Sequence, residues 1–179
     1  MAVTATATLA DDDLNRVATT ASEEFTDLYY NALNSARNTI ASFYVPTSTI
    51  SPGRDLPLIT YNGTQLSSAD AFQATFEQMP FTFFEIQSLN VHVTNPHITN
   101  VETQNNGKPR TKDLEQNISL LIQASGYVRL QERKEGPMRG FSDTMVLVPN
   151  KEDVGGKGKA KSGEGRSWLI QTQNFRFVV

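Results

Sequence analysis

Residues 67–93 read SSADAFQATFEQMPFTFFEIQSLNVHV, and a change of period inside this stretch decides the fold class. Up to Met79 the apolar residues Ala71, Phe72, Phe76 and Met79 fall at the helical spacing of three to four. Ser67 or Ser68 can cap that helix, Asp70 sits in its first turn, and Pro80 ends it. From Thr82 the period becomes two, which is a strand with one buried face.

The same two periods account for the chain on either side. Residues 11–44 form one long helical pattern through Leu14, Val17, Ala21, Phe25, Leu28, Ala32, Ala36, Ile40 and Phe43. Its break, if it has one, is expected near Thr19–Thr20. Asp11, Asp12 and Asp13 are its candidate N-caps and suit the positive end of the helix dipole. The Pro/Gly/Ser-dense stretch 46–57 reads as a loop. Leu58–Tyr61 reads as a short strand entering an Asn62-Gly63 turn. Beyond residue 82, strands are expected over 82–93, 117–133, 139–149 and 168–179. Helices first and an antiparallel sheet afterwards make an α+β fold. One domain is expected over residues 1–179, with a tail at 1–10 and long loops at 94–116 and 150–167. Loops of that length are functional or disordered in most domains, and the Gly/Lys-rich composition of the second predicts mobility.

Composition removes several chemistries. The chain has 179 residues, no cysteine and two histidines, His92 and His97. That excludes disulfides, thiol chemistry and cysteine- or histidine-rich metal sites, so no metal and no cofactor are expected. The start lacks the pattern of a secretory signal, and no apolar run is long enough for a membrane span. These features predict a soluble intracellular protein that does not engage membranes. Asn117-Ile118-Ser119 therefore carries no glycan expectation. The net charge of −3 is uneven. Residues 1–103 carry 11 acidic and 3 basic groups, or −8, and residues 104–179 carry 8 and 13, or +5.

Alternation assigns the faces of the strands. Phe175 and Phe177 should face the helices, which turns Asn174, Arg176 and Val178 outward. Ser142, Thr144 and Val146 lie opposite Phe141, Met145 and Leu147, and Gln123, Ser125, Tyr127 and Arg129 lie opposite Ile122, Ala124 and Val128. An arginine on the outer face of a central strand suits a partner carboxylate, which guanidinium pairs bidentately. The mixed polarity of the face suits a protein interface, although solvent exposure of one face is also ordinary for such sheets.

Five segments in order resemble the nuclear transport factor 2 superfamily: Tyr61-Asn62-Gly63-Thr64 with the following helix, Ser88–Val91, Gly126-Tyr127-Val128, FSDTMVLVP at 141–149, and Trp168-Leu169-Ile170 with Asn174–Phe177. The resemblance implies a cone, with helices packed in a strongly bent antiparallel sheet. Within the superfamily the chain is most similar to the small subunit of the mRNA export receptor, the fungal form above all. That implies heterodimerisation with the nuclear-transport-factor-2-like domain of a larger subunit, with Arg176 meeting an acidic residue there. It further implies passage through Phe-Gly nucleoporins, shuttling between nucleus and cytoplasm, and export of mRNA and of large ribosomal subunit precursors.

Two other expectations come from the residues. Lys108, Arg110, Lys112, Lys157, Lys159 and Lys161, in the long loops, could neutralise RNA phosphates. Interspersed acids and the lack of aromatic stacking groups favour a merely solvated loop. The alternative to a binding module is a small cone enzyme of the dehydratase or isomerase type. Its general base would be Asp143, which shares the inward parity of Phe141 and Met145, with His92, His97 and Tyr61 as weaker candidates.

Overall fold

The computed structural model describes residues 9–98, 111–132, 134–151 and 166–178, apart from the side chain of Lys112. Helix α1 runs from Asp11 to Ser35, and a 3-10 helix, Arg37–Phe43, follows it. Next come β1 (Ser48–Ser51), β2 (Arg54–Leu56), β3 (Leu58–Tyr61), β4 (Thr64–Leu66) and α2 (Ala69–Gln78). After them lie β5 (Thr82–Asn95), a short α3 (Thr111–Glu115), β6 (Ser119–Leu130), β7 (Met138–Pro149) and β8 (Trp168–Val178).

Six strands form one sheet in the order β4-β3-β8-β7-β6-β5. All its pairings are antiparallel except β3 with β8, so the sheet is mixed. Bulges in β5 and between Val146 and Leu147 add local bend to the strands. The α+β class is as expected, and α1, the 3-10 helix and α2 cover one face. There Phe25, Tyr29, Phe43, Phe72, Phe76, Phe84, Phe141 and Phe175 are buried against one another. The rings of Phe141 and Phe175 stack at 6.0 Å, and Phe72 and Phe76 lie 4.8 Å apart.

Several local expectations change. The long helix does not break at Thr19–Thr20 but at Ala36, where φ is −134° and ψ 51°. Ala10 is its N-cap and makes no side-chain cap bond, while the three aspartates occupy the first turn. They thus act through the helix dipole rather than as caps. The tail ends earlier than residue 10, because Leu9 is already buried. Within 46–57 the chain forms the β1–β2 hairpin instead of a loop. Its residues are almost wholly exposed, so no alternation of apolar and polar residues announced it. Two turn expectations hold. Ser68 caps α2 by accepting a bond from the Ala71 amide at 3.1 Å. Asn62 and Gly63 both take positive φ, 49° and 83°, as a tight hairpin turn between β3 and β4 demands.

Gly126 marks the closest approach in the sheet. It sits opposite Ile86, at the point where Gln87 bulges from β5. A Cβ there would lie 2.0 Å from the carbonyl oxygen of Glu85. Gly126→Ala must push β5 off β6 and should cost about 2 kcal/mol in urea unfolding. Gly140→Ala, whose Cβ would meet Val178 at 3.4 Å, should cost much less. Equal midpoints for the two variants would contradict this account of the bulge.

Candidate functional site

The outer face of the sheet carries almost every candidate residue, and the strand register sets their neighbours. Arg176 pairs across to Ser142, Ser142 to Ser125, and Ser125 to Ser88. The guanidinium therefore stands at the end of a row of small hydroxyls. It is exposed, and among the described residues no carboxylate pairs with it. The next row is Thr60, Asn174, Thr144, Gln123 and Asn90, five neutral hydrogen-bonding side chains on five strands. Beside it run Leu58, Thr172, Val146, Leu121 and His92. On the other side of the Arg176 row, Val178 precedes Gly140, Tyr127 and Glu85, and Met138, Arg129 and Phe83 follow.

All ten residues predicted for the outer face thus lie on one surface. Tyr127 is 47% and Val178 48% exposed, and they stand in one row of that surface. Alternation found the strand faces but missed Leu58, Thr60, Ser88 and Asn90, which belong to the same rows. Their strands are reached only through pairing, and the bulge at Gln87 shifts β5 by a residue.

The inner face holds a separate polar cluster. The hydroxyl of Tyr30 donates to Asp143 Oδ2 at 3.1 Å, and Gln173 Nε2 donates to the two carboxyl oxygens at 2.8 and 3.0 Å. Gln173 Oε1 in turn accepts from the hydroxyls of Tyr29 and Tyr44, which lie 3.0 Å apart. Among the described residues no cation takes part. Burial pushes the Asp143 carboxyl up to about 7, while the bonds from Gln173 and Tyr30 hold it lower than burial alone would. Burial likewise raises Tyr29, Tyr30 and Tyr44.

Asp143 has the inward position that the enzyme reading requires, but the interior beside it is filled. Phe84, Phe141 and Phe175 pack around the Tyr30–Asp143 bond, and Asp143 is 0% exposed. Among the described residues, cavities of about 590, 250 and 270 Å³ open elsewhere, and Asp143 lines none of these three. A general base has to reach its substrate within hydrogen-bond distance or through one water. His92 and His97 are exposed, and Tyr61 stacks on Phe175 at 5.7 Å with no carboxylate beside it. Gln173 was missed by sequence reasoning, although its inward parity beside Phe175 was a usable signal.

The basic-loop candidates divide. Lys108, Arg110, Lys157, Lys159 and Lys161 lie outside the described residues, and Lys112 contributes only its backbone in α3. Lys134, Arg139 and Lys151 are exposed. Arg166, near the end of the expected loop 150–167, is held by the fold. It lies 3.7 Å over the ring of Phe43 and donates to the Ser42 carbonyl at 3.3 Å. Among the described residues no cluster of three acidic or histidine side chains could hold a metal, and no helix is long and apolar enough to cross a membrane.

Residues 21–157 match the family model of the nuclear transport factor 2 (NTF2) domain. The NTF2-related export protein 1 of Bos taurus is 25% identical over 157 residues, which cover 88% of this chain and 86% of that protein. A chain of the solved complex of the Chaetomium thermophilum Mex67 NTF2-like domain with Mtr2 superposes with a TM-score of 0.70 at 20% identity. The match covers 90% of this chain and 99% of that one. A protein assigned as a scytalone dehydratase, from Novosphingobium aromaticivorans, superposes with a TM-score of 0.59 at 12% identity, over 94% and 89% of the two chains. At those identities the solved structures speak for the fold alone, and the fold hosts both transport proteins and enzymes.

Proposed function

Since the chain belongs to the nuclear transport factor 2 family, we propose that it is the small, non-enzymatic subunit of a heterodimeric nuclear mRNA export receptor. Its partner is the NTF2-like domain of a larger subunit, bound through the outer sheet face. The single observation that carries this reading is Arg176, an exposed guanidinium on a central strand with serines beside it and no carboxylate among the described residues. A guanidinium at a protein interface is best met by a carboxylate, bidentately, and small hydroxyl neighbours leave room for one. The cattle relative, named an export protein, supports the export role, and the Mex67–Mtr2 complex supports the choice of partner. The filled interior around Asp143 weighs against the enzyme alternative.

In this reading the heterodimer passes the pore by contacting Phe-Gly nucleoporins and shuttles between nucleus and cytoplasm. It carries mRNA and large ribosomal subunit precursors, with the basic loops as an auxiliary, salt-sensitive RNA surface.

The test is Arg176→Glu in a chain co-expressed with the larger subunit. Two opposed carboxylates at a desolvated contact should weaken the complex about a hundredfold or more, with the free chain still folded. A variant that binds with wild-type affinity would remove Arg176 from the interface and with it the main support for this reading.

A further inference from the structure

The β1–β2 hairpin contributes nothing to the core, yet it is built. Residues 46–55 are all exposed, and the hairpin is a separate two-stranded sheet. Thr49 donates to Asp55 across it at 2.6 Å. A lone hairpin of this kind is marginal in water, because neither face is covered. It also displays an apolar side chain at an unfavourable place, since Ile50 is 58% exposed.

The hairpin stands off the outer face and leaves a cleft of about 270 Å³. Ile50, Leu56 and Leu58 form its apolar wall, and Thr172 and Gln171 come from β8. At the base of the hairpin, Pro46 and Thr47 line the larger cavity of about 590 Å³, which Gln171 also borders. The hairpin is thus flanked by open space on both sides. Leu58 is 38% exposed and begins the row that continues through Thr172, Val146 and Leu121. Thr172 of the cleft lies on β8 four residues before Arg176 and on the same face, so the cleft is about 13 Å from the guanidinium along one continuous surface.

Charge identifies the kind of surface that fits. Arg54 lines the cleft and, like Arg176, has no carboxylate partner among the described residues. Asp55 lines the cleft too and keeps its charge, but its carboxylate already accepts from the Thr49 hydroxyl across the hairpin, which leaves Arg54 as the cleft charge with no ion-pair partner among the described residues. A cavity of this volume admits one large side chain and little more.

We propose that the hairpin is a clasp for the protein partner of the outer face. One bulky apolar side chain of that partner enters the cleft between Ile50 and Leu58, and an acidic group beside it meets Arg54. This rests on the outer face being the partner interface, as argued above, and adds an arm to it that alternation of strand residues did not include.

The two claims separate in one set of measurements on the chain bound to the NTF2-like larger subunit of its own species. Ile50→Asp should weaken the complex about tenfold or more, the cost of losing one buried aliphatic contact and desolvating a charge. The thermal midpoint of the free variant should not move, because Ile50 touches no core. Arg54→Glu should weaken binding in the same direction. Backbone amides of 48–56 should exchange about tenfold more slowly in the wild-type complex than in the free chain. If Arg176→Glu breaks the complex while Ile50→Asp binds normally and 48–56 exchanges as fast as before, the clasp is wrong and the face reading stands. If neither substitution alters affinity, both are wrong.

Discussion

Asp143→Asn should make the protein more stable at pH 8, by about 4 kcal/mol, and nearly unchanged near pH 4. The carboxyl is wholly enclosed, and its hydrogen-bond partners among the described residues, Tyr30 and Gln173, are neutral. In the folded chain it keeps its proton up to about pH 7, whereas in the unfolded chain it releases it near its ordinary value of 3.8. Below that ordinary value both states are protonated and the group has no effect. Between pH 4 and 7 the folded state binds the extra proton, so stability falls as pH rises. Above pH 7 the loss is complete and constant. Asparagine removes the charge: its Oδ1 can accept from Gln173 and its Nδ2 can donate to the Tyr30 hydroxyl, at the loss of the Gln173 bond to the Oδ2 position. The measurement is the difference between the two unfolding free energies from pH 4 to 8, which cancels the titration of other carboxylates. A difference that stays flat across this window, or a variant weaker at pH 8, would show that Asp143 is ionised and stabilised in the fold.

Arg37→Ala should destabilise the protein by about 3 kcal/mol. The guanidinium closes the ends of two helices and the start of the sheet. Its Nη1 donates to the carbonyls of Phe76 and Met79 at 2.8 and 2.7 Å. Its Nη2 donates to the Pro80 carbonyl and to Thr82 Oγ1, each at 2.9 Å, and Nε reaches the Leu33 carbonyl at 3.3 Å. Leu33 and Phe76 lie in the last turns of α1 and α2, and Met79 and Pro80 directly follow α2, so the guanidinium sits at the negative ends of both helices, where a cation is favoured. Alanine leaves these carbonyls short of donors at a half-buried junction. Arg37→Lys should recover less than half of the loss, because a single ammonium cannot span a planar fork's set of acceptors. Urea midpoints at constant slope would read both effects. A loss below about 1 kcal/mol for the alanine variant would mean that water replaces the guanidinium at little cost.

These two residues differ in how far they could be read in advance. Asp143 was placed inward by its parity with Phe141 and Met145, which are local neighbours on one strand. Its environment was not, since Tyr30 and Gln173 come from elements 113 and 30 residues away. Arg37 carried no signal at all. It sat in a helical run with the period intact, and its acceptors lie about forty residues on. The break that aims it, at Ala36, contains neither proline nor glycine.

Periodicity alone determined the course of α1 and α2, five of the six strands beyond the first loop, and which side of each long strand meets the core. Those follow from local geometry, because side chains repeat every 3.6 or every 2 residues whatever lies across from them. It also placed all ten outer-face candidates on their correct side. Tertiary structure alone decided what stands next to what. The serine row beside Arg176 exists because β5, β6, β7 and β8 pair in one register, which a single bulged residue, Gln87, shifts on β5. The hairpin over the edge of that face, the filled interior around Asp143 and the seat of Arg166 on Phe43 likewise rest on contacts between residues far apart in the chain. Burial and charge at such places are set by the neighbours that folding supplies, and a linear pattern holds no record of them.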